Sequence, residues 1–266
     1  MFNYFIVEQI IRAGRAAQLL FLLVVVAAVL LALYLSKNGK QFSIRPIEGL
    51  EATREGIARC AEMGRPVLVT PGISNLTAVQ SAQTVAGLTI LGEVATKSFG
   101  IGVPCLTNAS DQQIILASEG IIRNSLLTVG KPELYAPGKY VRWFGADQYS
   151  YAVGCTGQIL EEKPGLIVFA GYFLSDVVVT GEAGTRVDAV KVGGTLGSIN
   201  FLAMMCDYLM IGEELFAASV AITEDKASTA TLAGQDWSKL IVLGLGILGV
   251  ILYALGNQSI WFWLGV

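Results

Sequence analysis

The stretch PVLVTPGISNLTAVQSAQTVAGL, residues 66–88, predicts a strand followed by a helix and decides the fold class. Its first five residues are rich in Val and Thr, and the run stops at Pro71-Gly72, which is typical of a strand that ends in a turn. Ser74 stands where a helix N-cap is expected. The apolar residues that then return at helical spacing are Leu76, Val79, Val85 and Leu88.

The same strand–helix pattern repeats along the middle of the chain. Residues 103–108 predict a second strand, and Ser110 with Gln113 three positions later forms a capping box for the next helix. Further strands are predicted at 139–144, 166–172, 187–192 and 201–207, and further helices at 147–160 and 213–222. Because alternating strands and helices form parallel sheets with helices on both faces, the sequence predicts an α/β fold with a doubly wound, mostly parallel sheet.

Two apolar segments flank this region. Residues 16–36 and 240–264 contain no Asp, Glu, Lys or Arg, and each is long enough to cross a hydrocarbon core of about 30 Å as a helix. The sequence therefore predicts two transmembrane helices, an amphipathic segment at 1–15, and an α/β domain at 41–236 that ends in a polar tether from residue 223. A cleaved signal peptide is the alternative for 16–36, but the apolar stretch is long and no small-x-small cleavage site follows it.

Basic residues near the two segments predict the orientation in the membrane. Only Arg12 and Arg15 precede the first segment. Those that flank the middle region are Lys37, Lys40, Arg45, Lys226 and Lys239. Because cytoplasmic loops carry the excess of Lys and Arg, we expect the α/β domain in the cytoplasm.

The composition excludes several classes of protein. The 266 residues are 53% hydrophobic and 15% charged with a net charge of −3, which excludes a disordered chain and an ordinary nucleic-acid-binding protein. Histidine is absent, so His-dependent nucleophilic triads and His-ligated metals are excluded. The four cysteines are widely spaced in apolar surroundings and are expected to be buried thiols in a reducing compartment. A domain so poor in charge predicts a homo-oligomer or a protein partner complex, in addition to the lipid bilayer.

Polar residues at the predicted strand ends are the candidate ligand-binding residues, because open α/β sheets bind ligands at the carboxyl ends of their strands. The four chosen are Asn75, Asn108, Asp111 and Asp176. With the helix N-termini beside them they are suited to a small anion, a cation or hydroxyl groups. The alternative is that they are helix caps and turn residues, the ordinary use of Asn and Asp at such positions. The sequence contains no complete catalytic constellation, metal-ligand set or cofactor motif, so we predict no catalytic residue, metal or cofactor.

Two further groups of residues bear on a possible ligand site. Other polar residues at the strand ends are Thr70, Ser74, Thr107, Ser110, Asp147, Ser175 and Asp207. An aromatic group either lines a pocket or belongs to a core or subunit interface, the more common use. Its members are Tyr135, Tyr140, Trp143, Tyr149 and Tyr151.

Three segments carry a family resemblance: PELYAPG at 132–138, DQYSYA at 147–152 and CDYLMIGEELFAAS at 206–219. In these segments the chain resembles an uncharacterised family of prokaryotic membrane proteins, in which a domain of unknown function precedes a C-terminal hydrophobic helix. The resemblance covers roughly residues 45–250. It implies a bacterial or archaeal membrane setting and assigns neither an activity nor a site residue.

These observations lead to two functional hypotheses. The first is a membrane-anchored scaffold or assembly protein whose α/β domain self-associates or docks a partner complex, without catalysis. The alternative is a membrane-tethered enzyme or sensor that binds a small anionic metabolite or nucleotide at the strand ends.

Overall fold

The computed structural model describes residues 16–40, 42, 45–223 and 226–254. They fall into two compact units, of which the larger is Arg45–Thr223 and the smaller contains the described residues on either side of it. The predicted amphipathic segment at 1–15 lies outside the described residues, and so do positions 255–264 of the second predicted span.

The larger unit is built on a parallel sheet of six strands. In chain order they are β1 (Val67–Gly72), β2 (Cys105–Ala109), β3 (Val141–Trp143), β4 (Leu166–Tyr172), β5 (Val190–Thr195) and β6 (Tyr208–Ile211). Their spatial order is β3-β2-β1-β4-β5-β6, and every neighbouring pair is parallel. β1 and β4 are the buried central strands, which explains their nearly continuous apolar sequence. The predicted α/β class with a mostly parallel sheet is confirmed.

Helices connect the strands and cover the sheet. In chain order the α-helices of the described residues are α1 (Ala16–Lys37), α2 (Glu48–Met63), α3 (Ser81–Gly100), α4 (Gln112–Thr128), α5 (Gln148–Glu162), α6 (Asp176–Arg186), α7 (Ile199–Met205), α8 (Glu214–Thr223) and α9 (Lys226–Ala254). Helix α3 packs against α2, α4 and α8, whereas α6 packs against α5 and α7. From β1 to β3 the chain adds strands toward one edge of the sheet, and from β4 to β6 it adds them toward the other edge. Because crossovers between parallel strands are right-handed, these two groups of helices cover opposite faces of the sheet. The strand order switches between β1 and β4, the position where doubly wound folds open a crevice.

Glycines bring the backbones close together at this switch point. Gly72 has a φ of +86°, and a β-carbon there would overlap the carbonyl oxygen of Tyr172 on β4. A β-carbon on Gly87, in the middle of α3, would overlap the carbonyl oxygen of Ala170. Helix α3 therefore lies directly on the backbone of β4, and larger residues at these two positions would separate the elements.

Two predicted helix caps are wrong, because Ser74 lies well before α3 begins and Ser110 bonds to the backbone of β1. Helix α3 begins at Ser81, so Ser74 is not its N-cap. In the turns before it, Asn75 Oδ1 accepts hydrogen bonds from the backbone N–H and hydroxyl of Thr77, at 3.1 and 3.0 Å. Helix α4 is capped by Asp111, which accepts the N–H of Gln113 at 2.8 Å, whereas Ser110 donates to the carbonyl of Gly72 at 3.2 Å.

Two other predictions fail at the carboxyl-terminal end of the larger unit. The strand predicted at 201–207 is wrong, because α7 occupies most of it and β6 follows at Tyr208. Leu202 faces the core there while Met204 is 70% exposed, and a short apolar run does not distinguish a helix from a strand. The polar tether predicted at 223–236 is also wrong, because α9 already begins at Lys226.

The smaller unit consists mainly of α1 and α9 packed against each other through small residues. Ala32 of α1 and Ala230 of α9 are fully buried, and a β-carbon on Gly234 would lie 2.7 Å from the Cα of Val29. Such contacts are typical of helices that pack within membranes. By length and composition, one helical segment of the described residues, Lys226–Ile251, can cross a membrane, whereas the apolar part of α1, Phe21–Lys37, is shorter. The prediction of two transmembrane helices is therefore not confirmed.

Candidate functional site

A buried polar network lies below the carboxyl ends of β1 and β2. Tyr151 of α5 donates a hydrogen bond to Asn108 Oδ1 on β2 at 2.5 Å, and its hydroxyl also pairs with that of Thr70 on β1. None of these three side chains is more than 1% exposed. The network therefore joins α5 to the neighbouring strands β1 and β2.

The amide group of Asn108 extends this network along α5. Its Nδ2 atom donates to Cys155 Sγ at 3.3 Å and to Gln158 Oε1 at 3.2 Å. Tyr151, Cys155 and Gln158 reach it together because positions i, i+4 and i+7 share one side of a helix. Asp147 begins that helix by accepting the N–H groups of Tyr149 and Ser150, both at 3.0 Å.

Burial keeps the network protonated. It raises the pKa of Tyr151 well above its usual value, an effect to which Cys155 adds and which the hydroxyl of Thr70 opposes. Burial likewise raises the pKa of Cys155 to about 12, although the hydrogen bond from Asn108 lowers it. A phenol and a thiol in these states are hydrogen-bonding groups rather than nucleophiles at neutral pH.

Asp176 stands apart from the other acidic residues of the domain because it is only 3% exposed. It begins α6 just beyond β4, and its Oδ1 accepts the N–H of Leu174 at 2.7 Å. Its second oxygen, Oδ2, is buried without a hydrogen-bond partner. Burial raises the pKa of Asp176, and its charge in turn raises the pKa of Tyr151 and of Cys155, so it lies near the network.

The structure separates the four predicted ligand-binding residues into two pairs. Asn108 is a member of the buried network, and Asp176 begins α6 beyond β4, where its charge raises the pKa of Tyr151 and of Cys155. Asn75 and Asp111 instead hold a turn and a helix N-terminus, as the alternative interpretation of the strand-end residues stated. Asp207, another strand-end candidate, accepts the N–H of Lys191 and pairs with its ammonium group at 3.5 Å.

Sequence reasoning missed the helical part of the network. The strand-end rule does not include Tyr151, Cys155 or Gln158, since all three belong to the helix predicted at 147–160. The signal was present as polar or polarisable residues at 151, 155 and 158, a spacing that places them on one side of the helix predicted at 147–160. The four cysteines are free, with Cys60, Cys105 and Cys155 buried and Cys206 half-buried, which confirms the expectation of unpaired thiols for the most part buried.

Most polar groups of the network pair with one another, whereas Gln158 Nε2 is buried without a hydrogen-bond partner. The described residues contain no cluster of three or more Cys, Asp or Glu side chains that is able to hold a metal ion. The hydroxyls of Thr70 and Tyr151 and the amide of Asn108 are mutually paired. We therefore assign the network a role in joining α5 to the sheet.

A second feature is a groove along the exposed side of α3. It has a volume of about 560 Å³ between α3 and α4 and a further 480 Å³ between α3 and α8, and the two parts meet at Val85 and Thr89. The residues of α3 that line it are Ser81, Ala82, Val85, Ala86, Leu88, Thr89, Gly92, Glu93 and Thr96, and we call Ala82, Val85, Thr89, Gly92 and Thr96 its floor. We call this feature the α3 groove. Its floor residues recur at intervals of three and four, so small side chains form one continuous stripe along the helix.

Charge is nearly absent from the α3 groove. Among its lining residues Glu93 alone is charged, and Lys97 one turn later pairs with it at 2.6 Å. The walls carry exposed apolar side chains, including Leu116 of α4, which is 75% exposed. A concave surface of this size with so little charge is typical of a site that another protein surface covers.

Comparison with known proteins assigns a family. No curated protein and no solved structure matches the chain. The family described as a domain of unknown function, DUF6754, matches residues 7–263 and so includes nearly all of the sequence. This agrees with the predicted resemblance to a family of unknown function, and the chain belongs to the DUF6754 family.

Proposed function

We propose that the protein is a membrane-anchored assembly protein whose α/β domain self-associates through the α3 groove. The observation that carries this proposal is the groove itself, a surface along a 20-residue helix in which Glu93 is the one charged lining residue. The buried network supports a non-catalytic role, because the hydroxyls of Thr70 and Tyr151 and the side-chain oxygen of Asn108 pair with one another. In this proposal α9 anchors the chain with α1 beside it, the domain faces the cytoplasm, and the setting is a prokaryotic membrane.

The dimensions of the groove surface fit a stable protein contact. A helix of 20 residues is about 30 Å long, and three neighbouring helices 8–10 Å apart span roughly 27 Å. Because α4 and α8 are shorter, with 17 and 10 residues, the surface of the three helices is on the order of 600 Å², at the low end of the area that each partner buries in a standard interface. Anchoring in one bilayer raises the effective concentration of the copies and favours their contact.

Replacement of Thr89 by arginine tests the proposal. Thr89 lies where the two parts of the groove meet, so Thr89→Arg would place a charge in the centre of the interface, and we expect the oligomer to dissociate. Thr185→Arg is the matched control, since both threonines donate to the carbonyl four residues earlier and Thr185 is exposed on α6. The measurement is particle mass by light scattering in mild detergent. A wild-type chain that is monomeric at all concentrations would contradict the proposal.

One observation favours a second function, the binding of a small molecule at the switch point. Asp176 is buried just beyond the carboxyl end of β4, one of the two strands at the switch point, and its Oδ2 atom has no partner. A buried carboxyl group prefers a ligand that donates hydrogen bonds, such as an amine, amide or hydroxyl, over the anion expected from the sequence. A ligand at 100 times its dissociation constant should stabilise the fold by about 2.7 kcal/mol, so thermal unfolding with a panel of such compounds tests this function.

The pH dependence of stability should also report on Asp176. Because burial raises its pKa above the usual 3.8, the folded state retains the proton at pH values where the unfolded state has lost it. Stability should therefore decrease as the pH rises from 3.8 to the raised pKa, and Asp176→Asn should remove that decrease. Asp147→Asn is the control, since hydrogen bonds from Ser150 lower the pKa of Asp147. A lowered pKa stabilises the folded state above pH 3.8, and this stabilisation is lost as the pH falls below 3.8. The effect of Asp147 therefore has the opposite sign to that of Asp176. An unchanged pH profile in Asp176→Asn would contradict this role.

A further inference from the structure

We propose that the α3 groove of one copy receives helix α5 of the next copy, so that the copies join head to tail. This inference rests on the proposed function and specifies the partner surface. The occupant is the exposed side of α5, formed by Tyr149, Val153, Gly157 and Leu160, which we call the α5 ridge.

The α5 ridge is an unpartnered apolar surface. Tyr149 is 75% exposed, Val153 70% and Leu160 41%. With Gly157, these residues follow one another at intervals of four, four and three positions, so they lie on one side of the helix. The opposite side carries Tyr151, Cys155 and Gln158. None of the four carries a charge, so burying the ridge leaves no ion unpaired.

Shape complementarity favours the ridge over a second groove. The floor of the groove consists of small residues, and its two parts enclose about 560 and 480 Å³. Two grooves placed face to face would keep much of this space empty, and unfilled space forfeits the van der Waals contacts that hold interfaces together. A helix with Tyr, Val and Leu side chains fills such a space, as amphipathic helices do when they bind in grooves.

The positions of the two surfaces determine the symmetry of the assembly. Helix α3 belongs to the layer with α4 and α8, whereas α5 belongs to the layer with α6 on the other face of the sheet. A contact between α3 of one copy and α5 of another therefore leaves one groove and one ridge free for further copies. Such heterologous contacts produce rings or filaments rather than closed two-fold dimers.

Cross-linking between differently tagged full-length chains tests this arrangement. One population carries Thr89→Cys and the other Val153→Cys, both with Cys206→Ser, because Cys206 is the half-buried native thiol and the other three are buried. After mixing in mild detergent and treatment with a short bis-maleimide, we expect a cross-link between the two tags, and a ladder of multimers from a chain that carries both cysteines. The control pair, Thr185→Cys with Val153→Cys, should give at least an order of magnitude less product.

The outcomes separate this inference from the proposed function. A cross-link confined to two Thr89→Cys chains would show a two-fold groove-to-groove dimer, which overturns the head-to-tail arrangement and retains self-association. An oligomer of native mass without either cross-link would overturn the assignment of the groove as its interface. A wild-type chain that stays monomeric would overturn both, and so would a different polypeptide cross-linked to Thr89→Cys in native membranes.

Discussion

Replacement of Gly87 by alanine should destabilise the α/β domain by roughly 3 kcal/mol, although alanine is the better helix former. The new methyl group would overlap the backbone carbonyl oxygen of Ala170, and a backbone atom in a central strand cannot rotate away as a side chain can. Helix α3 would have to move off β4, and its contacts with the buried strands would weaken. Thermal unfolding of the full chain in mild detergent measures the effect.

Gly92 provides the matched control in the same helix. A β-carbon there would lie 3.5 Å from Cγ2 of Ile121, an ordinary van der Waals distance. Gly92→Ala should therefore leave the fold unchanged or stabilise it by up to about 1 kcal/mol, through helix propensity and a less flexible unfolded chain. Equal effects of the two substitutions would show that α3 does not rest on β4 as described.

Replacement of Tyr151 by phenylalanine should destabilise the domain by about 2–4 kcal/mol, the second large effect that we expect. The change removes one oxygen atom but leaves both Thr70 Oγ1 and Asn108 Oδ1 without their partner in a buried site. Each unpaired buried group costs about 1–3 kcal/mol, which exceeds the net contribution of an ordinary hydrogen bond. The measurement is again the thermal unfolding midpoint of the full chain.

Two further variants make this prediction specific. Tyr149→Phe removes the same hydroxyl from an exposed side chain two residues earlier in α5 and should change stability by less than about 0.5 kcal/mol. The double variant Thr70→Val with Tyr151→Phe removes both hydroxyls that face each other, and it should be less destabilised than the sum of the two single variants. Strict additivity of the two single effects would contradict the hydrogen-bonded network.

Local sequence pattern predicted the elements that alternate regularly. The strand predicted at 166–172 is β4, and the helix predicted at 147–160 is α5, which extends to Glu162. The predictions failed where an apolar run was too short to define a period, as in α7, and where polar side chains had two possible uses. Ser74 and Ser110 both resemble N-caps in sequence, but α3 begins without a side-chain cap and Asp111 caps α4 in place of Ser110.

The sequence rule for candidate site residues selected residues of two kinds. The strand-end rule selected Asn108 and Asp176, because the carboxyl end of a parallel strand is defined once the strand is recognised. It also selected Asn75 and Asp111, whose oxygens are used within three residues of their own positions. Nothing in the local pattern distinguishes an amide that folds back on its own turn from one that reaches across to another helix.

The alternation of strands and helices along the chain was sufficient for the α/β class and the parallel sheet, because both depend on short periodic patterns of apolar residues. The pairing of Tyr151 with Thr70 and Asn108 was decided by the fold, since these positions lie 81 and 43 residues apart and meet only when α5 packs on β1 and β2. The α3 groove likewise exists only because α4 and α8 stand on either side of a stripe of small residues. Surfaces and networks of this kind depend on contacts between distant segments, and local periodicity does not encode them.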